Sequence, residues 1–417
     1  MRCTGWSRLI VIGLAFDCAC SSSGQTAAVG TSSPSPSVAA TATNPSSSPT
    51  AQASAGPNSD PLWAGSVLTF ELDGTPNKHF TLADPRGQQL KTIDLSGFAS
   101  GVQGDGAALV LFGSNALNQA VWVVARDGTV IAIPTSVGGA VPPDAILLDD
   151  HTVLGAAGDQ LHAKYDLIDF TSGRITTLLT VAATQRTGGI QPQALIPLGT
   201  SADRRVAHVL VRHATVNGTS VPEWAVVDID LASNTVTGIR QVPVAKGVDP
   251  YDAAKAALSV DGRFLAYEEG TTSDAQQRAV NKIHIVDLTN GNDVVIVNVP
   301  ITVSNNSRGL RFSPDGKAVI AYGYSWPPNP NNQQDAIMGA FATADGRALS
   351  LTDVGSPLDY NIEPMGWVGE HTLAYTTNTS PNGNFDGSNS AAHTLDVFTN
   401  VRSDLPTGLG LLVAVLN

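Results

Sequence analysis

"RFSPDGKAVIAY", residues 311–322, places apolar runs on either side of a four-residue corner, the pattern of two short antiparallel strands joined at a tight turn. A blurred copy, "ALSVDGRFLAY", stands at 257–267. The recurring Asp-Gly either marks a ligand site or closes a corner. Tight hairpin turns require positive φ, which Gly accepts freely and Asp tolerates, so turn chemistry alone accounts for Asp127, Asp261, Asp315 and Asp345.

Working outward, a strand, a polar turn and a second strand recur as "HFTLADPRGQQLKTIDL" from 79, "AVWVVARDGTVIAI" from 120, "KYDLIDFTSGRITTLL" from 164 and "EWAVVDIDLASNTVTGIR" from 223. "KIHIVDLTNGNDVVIV" from 282, "IMGAFATADGRALSLT" from 337 and "HTLDVFTNVRSDLP" from 393 continue the series. Upstream of all but the first lies another hairpin, such as "AILLDDHTVLGAAG" or "PMGWVGEHTLAYTT". Two hairpins in succession make a four-stranded meander, and a chain of such meanders is the signature of a β-propeller. The expected fold is therefore all-β, a β-propeller of seven four-stranded blades spanning 61–417. "AGSVLTFEL" at 64–72 lacks a preceding partner and "LGLLVAVLN" at 409–417 lacks a following one, so the C-terminal strand is expected to complete blade 1 and close the ring.

"FSPDGKAVIAY" resembles the WD40-like repeat of TolB-type propellers, in which Phe-Ser-Pro-Asp-Gly links the two inner strands of a blade. The full motif stands only at 312–316; "LSVDG" at 258–262 lacks the Pro. The resemblance implies a fold shared by many unrelated activities, so function has to be argued from a site.

Charge and cysteines narrow the classes. Lys and Arg number 23 against 36 acids, a net charge of −13, which opposes binding to phosphate backbones and excludes nucleic acid as an expected partner. The three cysteines, Cys3, Cys18 and Cys20, all lie in the first twenty residues, so the rest of the chain carries no disulfide, thiolate metal site or cysteine nucleophile. Arg2 and Arg8 precede the apolar run Leu9 to Phe16 and then small residues, the order of a secretory signal over 1–20. Its ending, Ala19-Cys20 followed by Ser21, resembles a bacterial lipoprotein signal, with Asp17 where that family has an aliphatic residue. The resemblance implies lipidation at Cys20 and a membrane anchor on the periplasmic or exterior side, with plain secretion as the alternative. Residues 21–60, rich in Ser, Thr, Ala and Pro, cannot bury enough surface to offset their ordering entropy and read as a tether of roughly 35 Å root-mean-square span.

In an up-and-down blade the turns joining strands one to two and three to four share one face, and the remaining connections share the other. On that second face "RHATVNGTSVPE", "EGTTSDAQQRAVNK", "GYSWPPNPNNQQDA" and "TNTSPNGNFDGSNSAA" read as long loops, and loops this long in a compact repeat are unusual unless functional or disordered. Tyr324, Trp326 and Asn329 in "YSWPPNPNN" offer a rigid aromatic surface for a sugar ring or peptide, against the alternative that Trp326 caps its own blade. Asp249, Tyr251, Asp252, Arg308, Asp359 and Tyr360 are expected at the channel mouth, as ligand contacts or as loop-satisfying polar groups. Asn382, Asn384 and Asp386 alternate as oxygen donors in the manner of a calcium loop, but one carboxylate is too few, so no metal or cofactor is expected.

His208, His284 and His393 stand in or beside strands, where hydrogen-bonded structural roles are expected. No nucleophile elbow, phosphate loop or zinc-helix motif occurs. The leading expectation is an envelope-anchored binding module for a protein, peptide or glycan. The alternative is a hydrolase or lyase acting on polysaccharide or peptide at the channel mouth.

Overall fold

The computed structural model describes residues 66–416 apart from 72–76, 84–87, 97–98, 106–107, 114–119, 125–129, 134–144, 150, 159–161, 184–194, 244–255, 274–278, 300, 304–308, 326–335, 353–360, 379–389 and 406–410. The expected signal and tether lie outside the described residues. Ser54–Asn417 form one compact unit.

Every strand pairing is antiparallel. β1 (Ser66–Glu71), β2 (Asn77–Ala83) and β3 (Gln89–Ser96) form the first sheet. β4 (Ala99–Asp105), β5 (Ala108–Gly113), β6 (Ala120–Val124) and β7 (Val130–Ala132) form the second. An eight-stranded sheet joins two meanders. The first is β8 (Ile146–Leu147), β9 (Thr152–Gly158), β10 (His162–Asp169) and β11 (Arg174–Ala183). The second is β12 (Leu195–Thr200), β13 (Val206–Val216), β14 (Thr219–Asp230) and β15 (Thr235–Gln241). β16 (Ala256–Leu258), β17 (Phe264–Ser273), β18 (Ala279–Asp287) and β19 (Asp293–Val299) make another four-stranded sheet.

In the next sheet β20 (Ile301–Val303) and β21 (Leu310–Phe312) share one edge of β22 (Ala318–Ser325), followed by β23 (Ala336–Ala342) and β24 (Ala348–Thr352). β25 (Asn361–Trp367), β26 (Thr372–Asn378), β27 (Ser390–Asp396) and β28 (Val401–Asp404) form the last meander. β29 (Leu411–Leu416) returns to β1, with Ser66 opposite Leu416 and Phe70 opposite Leu411, the pairing expected of the C-terminal strand.

Two readings of the sequence change. "RHATVNGTSVPE" is strand almost throughout: β13 and β14 continue to a two-residue turn at Asn217 and Gly218, both at positive φ, because Asn-Gly is the residue pair that a type I′ turn favours. The distal end of this hairpin then pairs with β11, Val181 opposite Val216 and Ala183 opposite Ala214, which is what joins the two meanders. β20 was not foreseen; it continues the edge begun by β21, with Thr302 opposite Tyr324.

The core lies in layers between successive sheets. β14 shows why its strands read as continuous apolar runs rather than alternating ones: Ala225, Val227 and Ile229 pack toward Leu154, Tyr165 and Leu179, while Trp224 and Val226 pack with Leu265, Tyr267 and Val286. A strand buried on both faces needs apolar residues at every position. Further layers join Ile283 and Ile285 to Val319 and Phe341, Ile320 and Met338 to Leu373 and Leu395, and Met365, Ala374 and Leu405 to Ala83 of β2. At about 1.5–3 kcal/mol for each fully buried side chain, these layers are the main stabilising term.

Candidate functional site

Three first-to-second-strand corners, two of them Asp-Gly, are closed by one repeated hydrogen-bond pattern, while Asp127 lies outside the described residues. In the β12–β13, β16–β17 and β21–β22 turns the hydroxyls of Ser201, Ser259 and Ser313 donate to Asp203, Asp261 and Asp315. The same hydroxyls accept the backbone N–H groups of Val206, Phe264 and Ala318. Each Asp also accepts the N–H two residues on, from Arg205, Arg263 or Lys317. The positive-φ slot is Gly262 and Gly316 in two of them and Arg204, at φ 56°, in the third.

The turns between third and fourth strands are also alike. Asp169, Asp230, Asp287 and Asp396 each accept local N–H or hydroxyl donors, from Ser172, Ser233, Thr289 and Thr399 among others. Gly173, Asn234, Gly291, Gly346 and Asn400 hold the left-handed position. Each such turn is tied to the first turn of its own sheet, Phe170 N–H to the His151 carbonyl, Leu231 to Arg205, Leu288 to Arg263, Thr343 to Lys317 and Val397 to His371. Across from Asp287, the Arg263 guanidinium at 2.7 Å holds that carboxyl well below the usual range. These acids, among the described residues, therefore already have partners in their own or the adjoining turn.

Two polar junctions lie between the β12–β15 and β16–β19 sheets. At the turn end, Asp228 receives His208 Nδ1 at 2.7 Å and a bidentate grip from Arg240, through Nε at 2.9 Å and Nη2 at 2.8 Å. Burial opposes ionisation of Asp228, but His208 and Arg240 outweigh it and its pKa is lowered. Arg240 also donates across the boundary to the Gly262 carbonyl, pinning one sheet to the corner of the next.

Toward the opposite end, His284 is 2% exposed, with Nδ1 2.8 Å from Asp293 and Nε2 3.0 Å from Glu269. Lys282 also reaches Glu269. Tyr267 stacks on the imidazole at 4.7 Å with an interplanar angle of 1°, Trp224 meets Tyr267 edge-on at 5.1 Å, and the Arg212 guanidinium lies 5.9 Å from the Trp224 ring. A Tyr–His pair recurs in the last meander, where Tyr375 stands opposite His393. His393 Nδ1 is 2.8 Å from Asp404 and its Nε2 is 2.9 Å from the Thr377 hydroxyl.

Thr377, His393 and Asp404 have the connectivity of a hydrolytic triad, but the exposures run the wrong way. A nucleophile must meet substrate, yet Thr377 is 6% exposed while the Asp404 side chain is 83% exposed. This chain of hydrogen bonds therefore orients strands rather than attacking a carbonyl. The repeat was visible in the sequence as "FLAY" with "HIVD" at 284–287 and "TLAY" with "HTLD" at 393–396, a match of second and third strands that the turn motif overshadowed. The structural roles expected of His208, His284 and His393 agree with these partners.

Of the residues singled out from the sequence, Tyr324 lies in β22, its Cα opposite Thr302 and Ala336. Trp326, Asn329, Asp249, Tyr251, Asp252, Arg308, Asp359, Tyr360, the calcium-like Asn382, Asn384 and Asp386, and Cys20 lie outside the described residues. Among the described residues there is no group of three or more potential metal ligands, and no helix is long and apolar enough to cross a membrane.

No protein-family model matches the chain, and no curated protein matches it. Among solved structures, it is similar to TolB from Acinetobacter baumannii, at 13% identity over 81% of this chain and 77% of that one, with a TM-score of 0.36. It is also similar to the β-propeller domain of the Trilobed protease from Pyrococcus furiosus, at 10% identity over 75% and 83%, with a TM-score of 0.42. The tricorn protease matches at 13% identity and a TM-score of 0.38, over 79% of this chain and 34% of that one. Likeness at this level carries no argument about activity.

Proposed function

We propose that the chain is a seven-bladed β-propeller, exported and held at the cell envelope by a lipid on Cys20, that binds a protein, peptide or glycan through the face opposite its Asp-rich turns. The ring rests on adjacency: β4 lies beside β8, β12 beside β16, β16 beside β21, and β29 beside both β25 and β4. The layer of Ala83 with Met365, Ala374 and Leu405 also links the last meander to the first sheet.

The observation that carries the binding face is the inequality of the two ends. On the turn end the β12–β13, β16–β17 and β21–β22 corners repeat one hydrogen-bonded design, and Asp169, Asp230, Asp287 and Asp396 repeat another. At the other end the hairpins differ: β5 and β6 have 6 and 5 residues, whereas β13 and β14 have 11 and 12 and β17 and β18 have 10 and 9. A face that varies from blade to blade on a constant scaffold is where specific recognition is built. Tyr324 stands near the end of β22 toward that face, and Trp326 and Asn329 follow it in the sequence, outside the described residues. In the sequence Asp249, Tyr251 and Asp252 fall between β15 and β16, Arg308 between β20 and β21 of one sheet, and Asp359 and Tyr360 between β24 and β25, all outside the described residues.

The test deletes residues 326–333 from the full chain and measures capture of peptidoglycan and cross-linked envelope proteins beside thermal unfolding. Capture should vanish with the melting temperature nearly unchanged; undiminished capture overturns the assignment. Cys20→Ala should move the protein from the membrane fraction to the soluble one, and an unchanged distribution refutes the anchor.

A further inference from the structure

The Lys282–Glu269–His284–Asp293 group lies at a particular point in its sheet. The β17–β18 ladder is regular from Phe264–Asp287 to Glu269–Lys282 and then shifts register before Thr272 pairs with Val280. His284 therefore sits at the base of the irregular distal hairpin, which belongs to the face of unequal hairpins.

Both ring nitrogens of His284 are within hydrogen-bond distance of a carboxylate oxygen, and an ionised carboxylate has no proton to donate. A neutral imidazole carries one N–H and can serve only one of them. The geometry is satisfied on both sides by the imidazolium. From these contacts we infer that His284 is a proton-dependent clasp, which tightens the base of the β17–β18 hairpin when charged and loosens it when neutral.

The groups facing the ring from each packed element decide which bond fails. Glu269 and Tyr267 lie on β17, Lys282 is on the ring's own strand, Asp293 is on β19, and Trp224 of β14 stands beyond Tyr267 with Arg212 of β13 behind it. Glu269 keeps Lys282, at 2.9 Å, when the imidazolium is lost. Asp293 already has one buried oxygen without a hydrogen bond, so it has more to lose and retains the remaining N–H at Nδ1. Nε2 then presents a lone pair to Glu269. The His284–Glu269 contact is thereby lost, and of the two β18 side chains that hold Glu269 of β17 only Lys282 remains.

Burial works against the charged ring, but the hydrogen bonds to Asp293 and Glu269 outweigh it and raise its pKa above the ordinary 6.5. Folding therefore binds a proton. The contribution is fully present below about pH 6.5 and is lost as pH rises through the raised value.

The test uses the full chain at a series of pH values from 5.5 to 9.5. Urea unfolding of the wild type should show the unfolding constant rising by about tenfold for each pH unit between 6.5 and the folded-state pKa. His284→Gln and Glu269→Gln should be flatter across that window and less stable than wild type at pH 6. Ring-nitrogen NMR of histidine-labelled wild type, assigned with His284→Gln, should show one imidazolium with both nitrogens protonated persisting above pH 6.5. A His284 ring already neutral at pH 6.5 overturns the clasp, and if the His284→Gln chain does not fold, an unchanged pH dependence in Glu269→Gln overturns it instead. An unchanged pH dependence in folded His284→Gln overturns it equally.

Discussion

Gly291 and Gly346 hold the same place in two neighbouring turns, each donating its N–H to the carbonyl four residues back, Asp287 or Ala342, and each at positive φ, 77° and 71°. An alanine at either must bear the left-handed conformation, at about 1 kcal/mol. What lies above the missing Cβ differs. At Gly291 the nearest atom is Pro243 Cγ at 3.8 Å, an ordinary contact. At Gly346 a Cβ would meet Ile296 Cγ1 and Val294 Cγ1, both at 2.9 Å. Those atoms belong to the neighbouring sheet, in a layer packed like a crystal, so relief requires shifting two side chains at a further cost of about 1–3 kcal/mol. Gly346→Ala should therefore cost about 3 kcal/mol against about 1 for Gly291→Ala. With a urea slope of about 3 kcal/mol per molar, the two midpoints should differ by roughly 0.7 M. Adding Val294→Ala removes one of the two obstructing carbons and should recover part of the deficit in the Gly346→Ala background alone. Equal midpoints for the two glycine variants, or no coupling to Val294, would refute the reasoning that the neighbouring sheet rather than the turn sets the cost.

Arg240→Ala leaves the largely buried Asp228 carboxylate with His208 alone and removes the donor to Gly262, so a loss of about 2 kcal/mol is expected by denaturant titration, with Arg240→Lys failing to restore the bidentate grip. Ser313→Ala removes both the donor to Asp315 and the acceptor for Ala318 N–H and should cost about 1–2 kcal/mol, with local amide exchange faster at Ala318. Because Arg263, and then Thr289, hold Asp287 below its ordinary pKa of 3.8, its contribution is present above about pH 4 and lost as pH falls. Asp287→Asn should be less stable than wild type at neutral pH and show a shallower acid limb in pH-dependent melting; an unchanged limb would assign acid sensitivity elsewhere.

The turn chemistry made the scaffold readable. Strand pairs bounded by Asp, Gly, Asn and Ser appear where the sequence placed them, and even the β1–β29 pairing followed from two strands that each lacked a neighbour. β20 escaped because Ile301–Val303 is three residues long, with no turn signal of its own, and joins an edge that residues 304–309 interrupt. The distal β13–β14 hairpin escaped because Thr215 and Asn217 read as loop residues, while its pairing with β11 depends on a neighbouring meander. His284 and His393 were legible as strand residues, but their carboxylate partners come from other strands, at cross-strand and diagonal positions that no linear motif records.

The β1–β29 ladder also orders the chain in time. During synthesis β1 emerges before β4 to β28 and β29 after them, so the first sheet holds three of its four strands until the intervening sheets have been made. The eight-stranded β8–β15 sheet, held by neighbouring hairpin pairs and the β11–β13 ladder, can assemble from nearby segments, whereas β1 waits with one edge open. The sheet begun first is finished last, and any helper that shields an unpaired edge during folding would find its longest-lived target at β1.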